Sequence, residues 1–286
     1  VLSGLVAGES VGLAGLTGSF GDKNVGNGKA VVVTGTTLLD TASGLASNYV
    51  VADPTGLSAS ITPKALTLAG IVANNKVYDG TSKASLSGAV LSGLVEMETL
   101  ELAGLSAAFV DKHAGKDKAV TVTGATLRDT AHGLASNYTL GNPTGLTAEI
   151  SRAVIGGIGG IKAGNKVYDG NSSVSLDTRG ASFYGMVAGD SLGLASASGV
   201  FSDKNAASGK TVHIGGLALS GADAGNYVLG TDVASTWADI TARSLTLSGV
   251  VAGDKVYDGN RHASLSGGVL SGLVAGESVG LAGLTG

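Results

Sequence analysis

Residues 75–80 read NKVYDG, residues 165–170 read NKVYDG again, and residues 254–259 read DKVYDG. Tyr78, Tyr168 and Tyr257 are therefore 90 and 89 positions apart. The landmarks around the motif recur at nearly the same interval. An Asp-Lys pair begins at Asp22, Asp111 and Asp203, and an Asn-Tyr pair stands at Asn48-Tyr49, Asn137-Tyr138 and Asn226-Tyr227. Residues 1–62 laid on 90–151 without gaps agree at 38 positions. A repeat this long predicts a tandem array of folding units, each with its own core, in place of one large core.

The apolar run ALTLAG at 65–70 and its counterpart SLTLSG at 244–249 mark where a repeat opens. This phase predicts complete repeats at 64–151 and 152–242, a repeat lacking its start at 1–63, and one lacking its end at 243–286. Linkers of one or two residues (Ser151-Arg152, Thr241-Ala242) suggest a semi-rigid rod. Residues 1–18 recur unchanged as 269–286. The chain is accordingly expected to open and close within a repeat, as a window on a longer array or as a three-repeat higher period. The tail and head fragments overlap by those 18 residues and together make one repeat of 89. If discrete chains of this length exist, one chain's tail is expected to complete the next chain's head by strand addition.

Within a repeat, Leu66/Leu68, Val31/Val33 and Val120/Val122 alternate with polar or small residues, the period of a half-buried strand. β-branched Val and Thr have stiff side chains suited to extended backbone. Gly stands every five to eight residues, and Asp-Gly at Asp79, Asp169 and Asp258 suits a tight turn. The expected fold is all-β: about 89-residue modules of β-sandwich or β-grasp type, five to seven short strands each. A short helical turn is expected near 39–45 and 128–134. A parallel β-helix would repeat every 20 residues or so, and no such period is found.

Composition narrows the function. Aromatic residues make up 4% and charged residues 14%, with a formal net charge of −4 and a pI near 5.5. Basic residues are scattered singly, so no nucleic-acid face is expected. There is no Cys, which excludes thiolate metal sites and suits a protein exported unfolded. No run of about 20 apolar residues would span a membrane. Neither a phosphate-binding GxxxxGK[ST] nor a metal-binding HExxH occurs. No catalytic residue, cofactor or metal ligand is assigned, and an enzyme is not expected.

The NKVYDG and DKVYDG motifs, the GDKNVGNGK, VDKHAGKDK and SDKNAASGK segments, and the closing ASNY or AGNY resemble the YDG-type repeat module. The resemblance runs the length of the chain. That family is known from tandem arrays in large bacterial adhesins of the filamentous-haemagglutinin type, exported by two-partner secretion. The resemblance implies an extracellular or bacterial cell-surface location and an adhesive or scaffold role in a fibre, filament or biofilm matrix. Its partners would be neighbouring copies of the repeat, in the same chain or a homopolymer, and host or matrix glycans or proteins.

The motif residues Tyr78-Asp79-Gly80, Tyr168-Asp169-Gly170 and Tyr257-Asp258-Gly259 are read as structural, a turn with its Tyr packed on a neighbouring strand. The alternative is a sugar-stacking surface. The Asp-Lys pairs at Asp22, Asp111 and Asp203 are read as turns or ion pairs, since calcium wants six to eight oxygen ligands. Lys76, Lys166 and Lys255 are the candidates for an intramolecular isopeptide bond, with Asn48, Asn137 and Asn226 and a carboxyl group as partners.

Overall fold

The computed structural model describes residues 1–230 and 234–282. Among these the regular structure is almost entirely strand. The expected helical turn lies a few residues further on. It is a single 3-10 turn at Ala46–Asn48, Ala135–Asn137 and Ala224–Asn226. The stretch from residue 39 to 45 instead ends a strand and makes the Thr41–Gly44 bridge. In the first two copies Asp40 and Asp129 accept from the backbone N–H of Ala46 and Ala135 at 2.7 Å, which holds the turn at its later position.

Strands are shorter and more numerous than alternation suggested, with twelve between residues 64 and 151. Glycine pairs explain why. Glu101–Ala103 pairs with Thr126–Arg128, and the same hairpin continues as Ser106–Phe109 against Val120–Thr123 in another sheet. The break is at Gly104 and Gly124, with φ of 72° and 74°, where a Cβ would meet the opposite carbonyl oxygen at 2.4 and 2.5 Å. Only glycine lets two backbones cross this closely at positive φ. In the third repeat Gly193–Phe201 and Ala207–Ser220 run through the equivalent place with bulges near Ser196 and Ser198.

The chain packs as two compact units. The first comprises residues 1–74, 83–110 and 117–148; the second comprises 75–82, 111–116 and 149–286. In the first, Thr17–Phe20, Gly26–Thr34 and Leu57–Ile61 form an antiparallel sheet. Lys64–Ala69 lies between Val90–Ser92, antiparallel, and Tyr138–Leu140, parallel. Leu66, Phe109, Val120, Val122 and Tyr138 are buried there.

In the second unit the main sheet runs Lys166–Val167, Ser235–Thr241, Ala207–Ser220, Gly193–Phe201, Ser173–Val174. The first pair is parallel and the others antiparallel. Its inward face carries Phe201, Val212, Ala238 and Ile240, against which Ala163, Tyr168, Val174 and Leu176 pack. Ala153–Ile155 pairs in parallel with Tyr227–Leu229. The core is small and aliphatic with one Phe, as the aromatic-poor composition requires.

Candidate functional site: the repeat-to-repeat junction

Residues 75–82 and 111–116 belong to the second unit although they lie in the second repeat by sequence. The reason is a polar cluster that joins repeats. Tyr78 is 3% exposed, and its ring meets Tyr227 edge-on with centroids 5.5 Å apart. Both hydroxyls donate to Asp190 Oδ2, at 2.9 Å from Tyr78 and 2.6 Å from Tyr227. Lys112 Nζ reaches Asp190 Oδ1 at 3.3 Å and Asp223 at 3.8 Å, and lies 6.0 Å from the centre of the Tyr78 ring. The Tyr227 hydroxyl also accepts from the Val187 backbone N–H at 2.9 Å.

This is a closed hydrogen-bond network around one carboxylate. Burial works to raise the Asp190 carboxyl, but the donors Tyr227, Tyr78 and Lys112 outweigh it and hold the group below its ordinary range. Burial, reinforced by Asp190, pushes the Tyr227 phenol up to about 12 and raises Tyr78 as well. Hydrogen bonds with Tyr78 and Asp190 raise Lys112. Every partner is held in the state that the network needs: anionic carboxylate, neutral phenols, cationic amine.

The Asn of the Asn-Tyr pair ties a second strand of the junction. Asn226, buried, accepts from the Ala114 N–H at 3.0 Å and lies 3.3 Å from His113 Nδ1. In the first unit Asn137 does the same one repeat earlier, accepting from Val25 N–H at 2.9 Å and donating to Asn24 at 3.0 Å. There Glu98 takes the place of Asp190. It binds Lys23 and accepts from the Tyr138 hydroxyl at 2.6 Å. A third set joins Glu277 to Lys204 at 2.7 Å and to the Tyr168 hydroxyl. Tyr49 donates to Glu9 at 2.6 Å. Lys23 and Tyr138 hold Glu98 below the usual carboxylate range, as Lys204 and Tyr168 hold Glu277.

The geometry accounts for each letter of the Tyr-Asp-Gly motif. Tyr reaches the acid of the next repeat. Asp79 binds Lys76 Nζ at 2.7 Å and accepts from Thr81 N–H at 2.9 Å, and Lys76 holds its carboxyl down at about 2. Gly80 has φ of 78°, and a Cβ there would come within 2.8 Å of Val187 Cγ1; Gly170 meets Val274 in the same way. At the third copy Tyr257 is 93% exposed, and nothing lies within 4 Å of a Cβ on Gly259.

Lys76, Lys166 and Lys255 lie on their own motif Asp at 2.7, 2.7 and 2.9 Å. Their local partners are Thr81, Asn171 and Asn260, while Asn137 and Asn226 are engaged in the junctions. Lys166 holds Asp169 below its ordinary range. Asp22 pairs with Lys29 and accepts from Asn24 N–H at 2.8 Å, a turn with an ion pair. Glu9, Glu98, Asp190 and Glu277 were missed by sequence reading. Their recurrence at intervals of 89, 92 and 87 residues was the available signal. The pattern Gly-X-Ser-X-Gly also occurs at 8–12, 189–193 and 276–280. No helix directly follows it among the described residues, and the Ser10 hydroxyl bonds Thr41 and Ser43.

A family model described as the YDG domain matches residues 1–56, 62–145, 157–236 and 241–286. The chain belongs to the YDG-domain family. No curated protein and no solved structure matches it. In these YDG repeats the name-giving motif is a connector, its side chains spent on the neighbouring repeat and on its own turn.

Proposed function

We propose that this chain is the structural and adhesive repeat region of an extracellular bacterial fibre or adhesin stalk, working by spacing and repeat-to-repeat contact without catalysis. The single observation that carries the reading is the junction. A Lys and an Asn from adjacent repeats meet the same kinds of partner at Lys23/Glu98 and Asn137, and at Lys112/Asp190 and Asn226. Charge-assisted hydrogen bonds are the stronger kind, so a few per junction stiffen the link between small cores. Stability is then nearly a sum of repeat and neighbour terms.

The test is to stretch single molecules held at both ends. Each repeat is expected to yield separately, with about 300 Å of chain released per event, and Asp190→Asn is expected to lower the force of one event. Smooth extension without discrete events would sink the reading. Antibody labelling of intact cells tests the surface location. A glycan- or protein-binding surface is the second reading, favoured by Trp237. This residue is 68% exposed where the preceding repeat carries Thr147.

A further inference from the structure

The residue that follows each Asp-Lys pair is Asn24, His113 or Asn205. All three sit in the same turn. The backbone N–H of each donates to the Asp two positions before it, at 2.8 Å on Asp22, 2.7 Å on Asp111 and 2.7 Å on Asp203. The place is common to the repeats; the side chain is not. At the first two of these places the junction Asn faces it. Asn137 donates through Nδ2 to Asn24 Oδ1 at 3.0 Å, and Asn226 Nδ2 lies 3.3 Å from His113 Nδ1.

Asn226 is oriented from its other end. Its Oδ1 accepts the Ala114 N–H at 3.0 Å, so the group facing His113 is the NH2, which donates and does not accept. His113 Nδ1 must then be the acceptor, which assigns a neutral ring with its proton on Nε2. An Asn–Asn pair keeps its donor and acceptor at every pH. An Asn–His pair loses its acceptor when Nδ1 takes a proton, and N–H then points at N–H. The ring has to turn away. Asn226 is 3% exposed, so the amide donor left behind is buried, and an orphaned buried donor costs more than the bond had contributed. His113 itself is exposed, so protons reach it from solvent.

The charges around the ring do not offset this loss. Asp190 and Asp223, across the junction, are matched to Lys112 at 3.3 and 3.8 Å. Asp111, on the ring's own turn, accepts the His113 backbone N–H in either state of the ring. Tyr78 and Tyr227 are held as neutral phenols. Lys112 is raised and Asp190 lowered, so both keep their charge between about pH 5 and 8, the interval in which an ordinary imidazole changes its own. An imidazolium would therefore arrive beside a lysine, among carboxylates that already have partners.

We propose that His113 makes the junction built on Asn226 a pH-sensitive joint, closed around a neutral imidazole and loosened by acid, while the junction built on Asn137 is indifferent. The proposal rests on the repeat-contact reading above and adds that the contacts are unequal, one of them being releasable by a proton.

Amide hydrogen exchange reads both joints in one full-length chain. The Ala114 N–H is bonded to Asn226 Oδ1 and the Val25 N–H to Asn137 Oδ1, so the ratio of their protection factors cancels changes common to the molecule. Between about pH 7.5 and about pH 5 the Ala114-to-Val25 ratio is expected to fall roughly three- to tenfold. His113→Asn installs the residue that Asn24 and Asn205 already provide in the same turn, and leaves His132, His213 and His262 to titrate. In that variant the ratio is expected to stay level. A level ratio in the unchanged chain overturns the proposal, and so does a fall that persists in His113→Asn. The discrete unfolding events at neutral pH test the repeat-contact reading by themselves, because no proton has to move in them.

Discussion

Tyr78 and Tyr257 occupy the same place in the same motif, yet one is 3% and the other 93% exposed. Around Tyr78 stand Asp190, Tyr227 and Lys112; Tyr257 has no such cluster among the described residues. The local turn is unchanged. Lys255 still binds Asp258 at 2.9 Å and Asn260 N–H still donates to it at 3.1 Å, as Lys76 and Thr81 do with Asp79. The turn is therefore encoded locally, whereas burial of the Tyr is encoded by the next repeat. Phe201 and Phe20 make the parallel contrast in the cores.

The largest effect is expected there. Phe201→Ala removes a side chain that is 2% exposed and leaves a cavity, at a cost of about 3–5 kcal/mol. Phe20→Ala, at 37% exposure, is expected to cost roughly 1 kcal/mol. Urea unfolding followed by the single Trp, Trp237, reads the first directly, because Trp237 stands on the sheet that Phe201 supports. Equal costs at the two positions would break the comparison.

The next expected effect is on pH dependence. Tyr227 is raised from 10.0 to about 12, so folding favours its neutral form. A folded pKa above the unfolded one gives stability that is present in full below pH 10 and lost as pH rises toward 12. Two units correspond to about 2–3 kcal/mol. Tyr227→Phe is expected to flatten the stability profile between pH 10 and 12. At the acid end the sign reverses. Asp79, held down at about 2, and Asp190, also lowered, contribute above the ordinary carboxylate range and lose that contribution as pH falls through it. A wild-type profile flat from pH 10 to 12 would remove the Tyr227 network from the account.

Much of the fold was legible because alternation and glycine are local signals. Val120 and Val122 announced a strand with one buried face, and both are 4% exposed. The motif turn was legible for the same reason, since Asp79 and Gly80 act within a few residues. The long hairpins were not seen to change sheet, because the crossing of Gly104 with Gly124 depends on two glycines 20 residues apart meeting face to face. The junction was hidden more deeply. Tyr78 and Asp190 are 112 positions apart, and a single repeat gives no reason for its Tyr to look outward. Glu9, Glu98, Asp190 and Glu277 also vary between two acids, so identity counting passes over a position whose charge is what repeats.

The smallest expected effect separates the two encodings within one residue type. Gly80 and Gly259 have φ of 78° and 75°, so alanine at either position pays the same backbone strain, about 1–2 kcal/mol. A Cβ at Gly80 also meets Val187 Cγ1 at 2.8 Å, whereas at Gly259 it meets nothing. Valine is stiff about χ1 and cannot simply swing aside, so relief requires the backbone around Val187 to retreat from the turn. Gly80→Ala is therefore expected to cost about 1–2 kcal/mol more than Gly259→Ala. Val187→Ala should erase the difference by removing the methyl that the new Cβ strikes, which a double-mutant cycle measures. A difference that persists in the Val187→Ala background would mean that the third letter of the motif serves its own turn alone, and that the neighbouring repeat plays no part in selecting it.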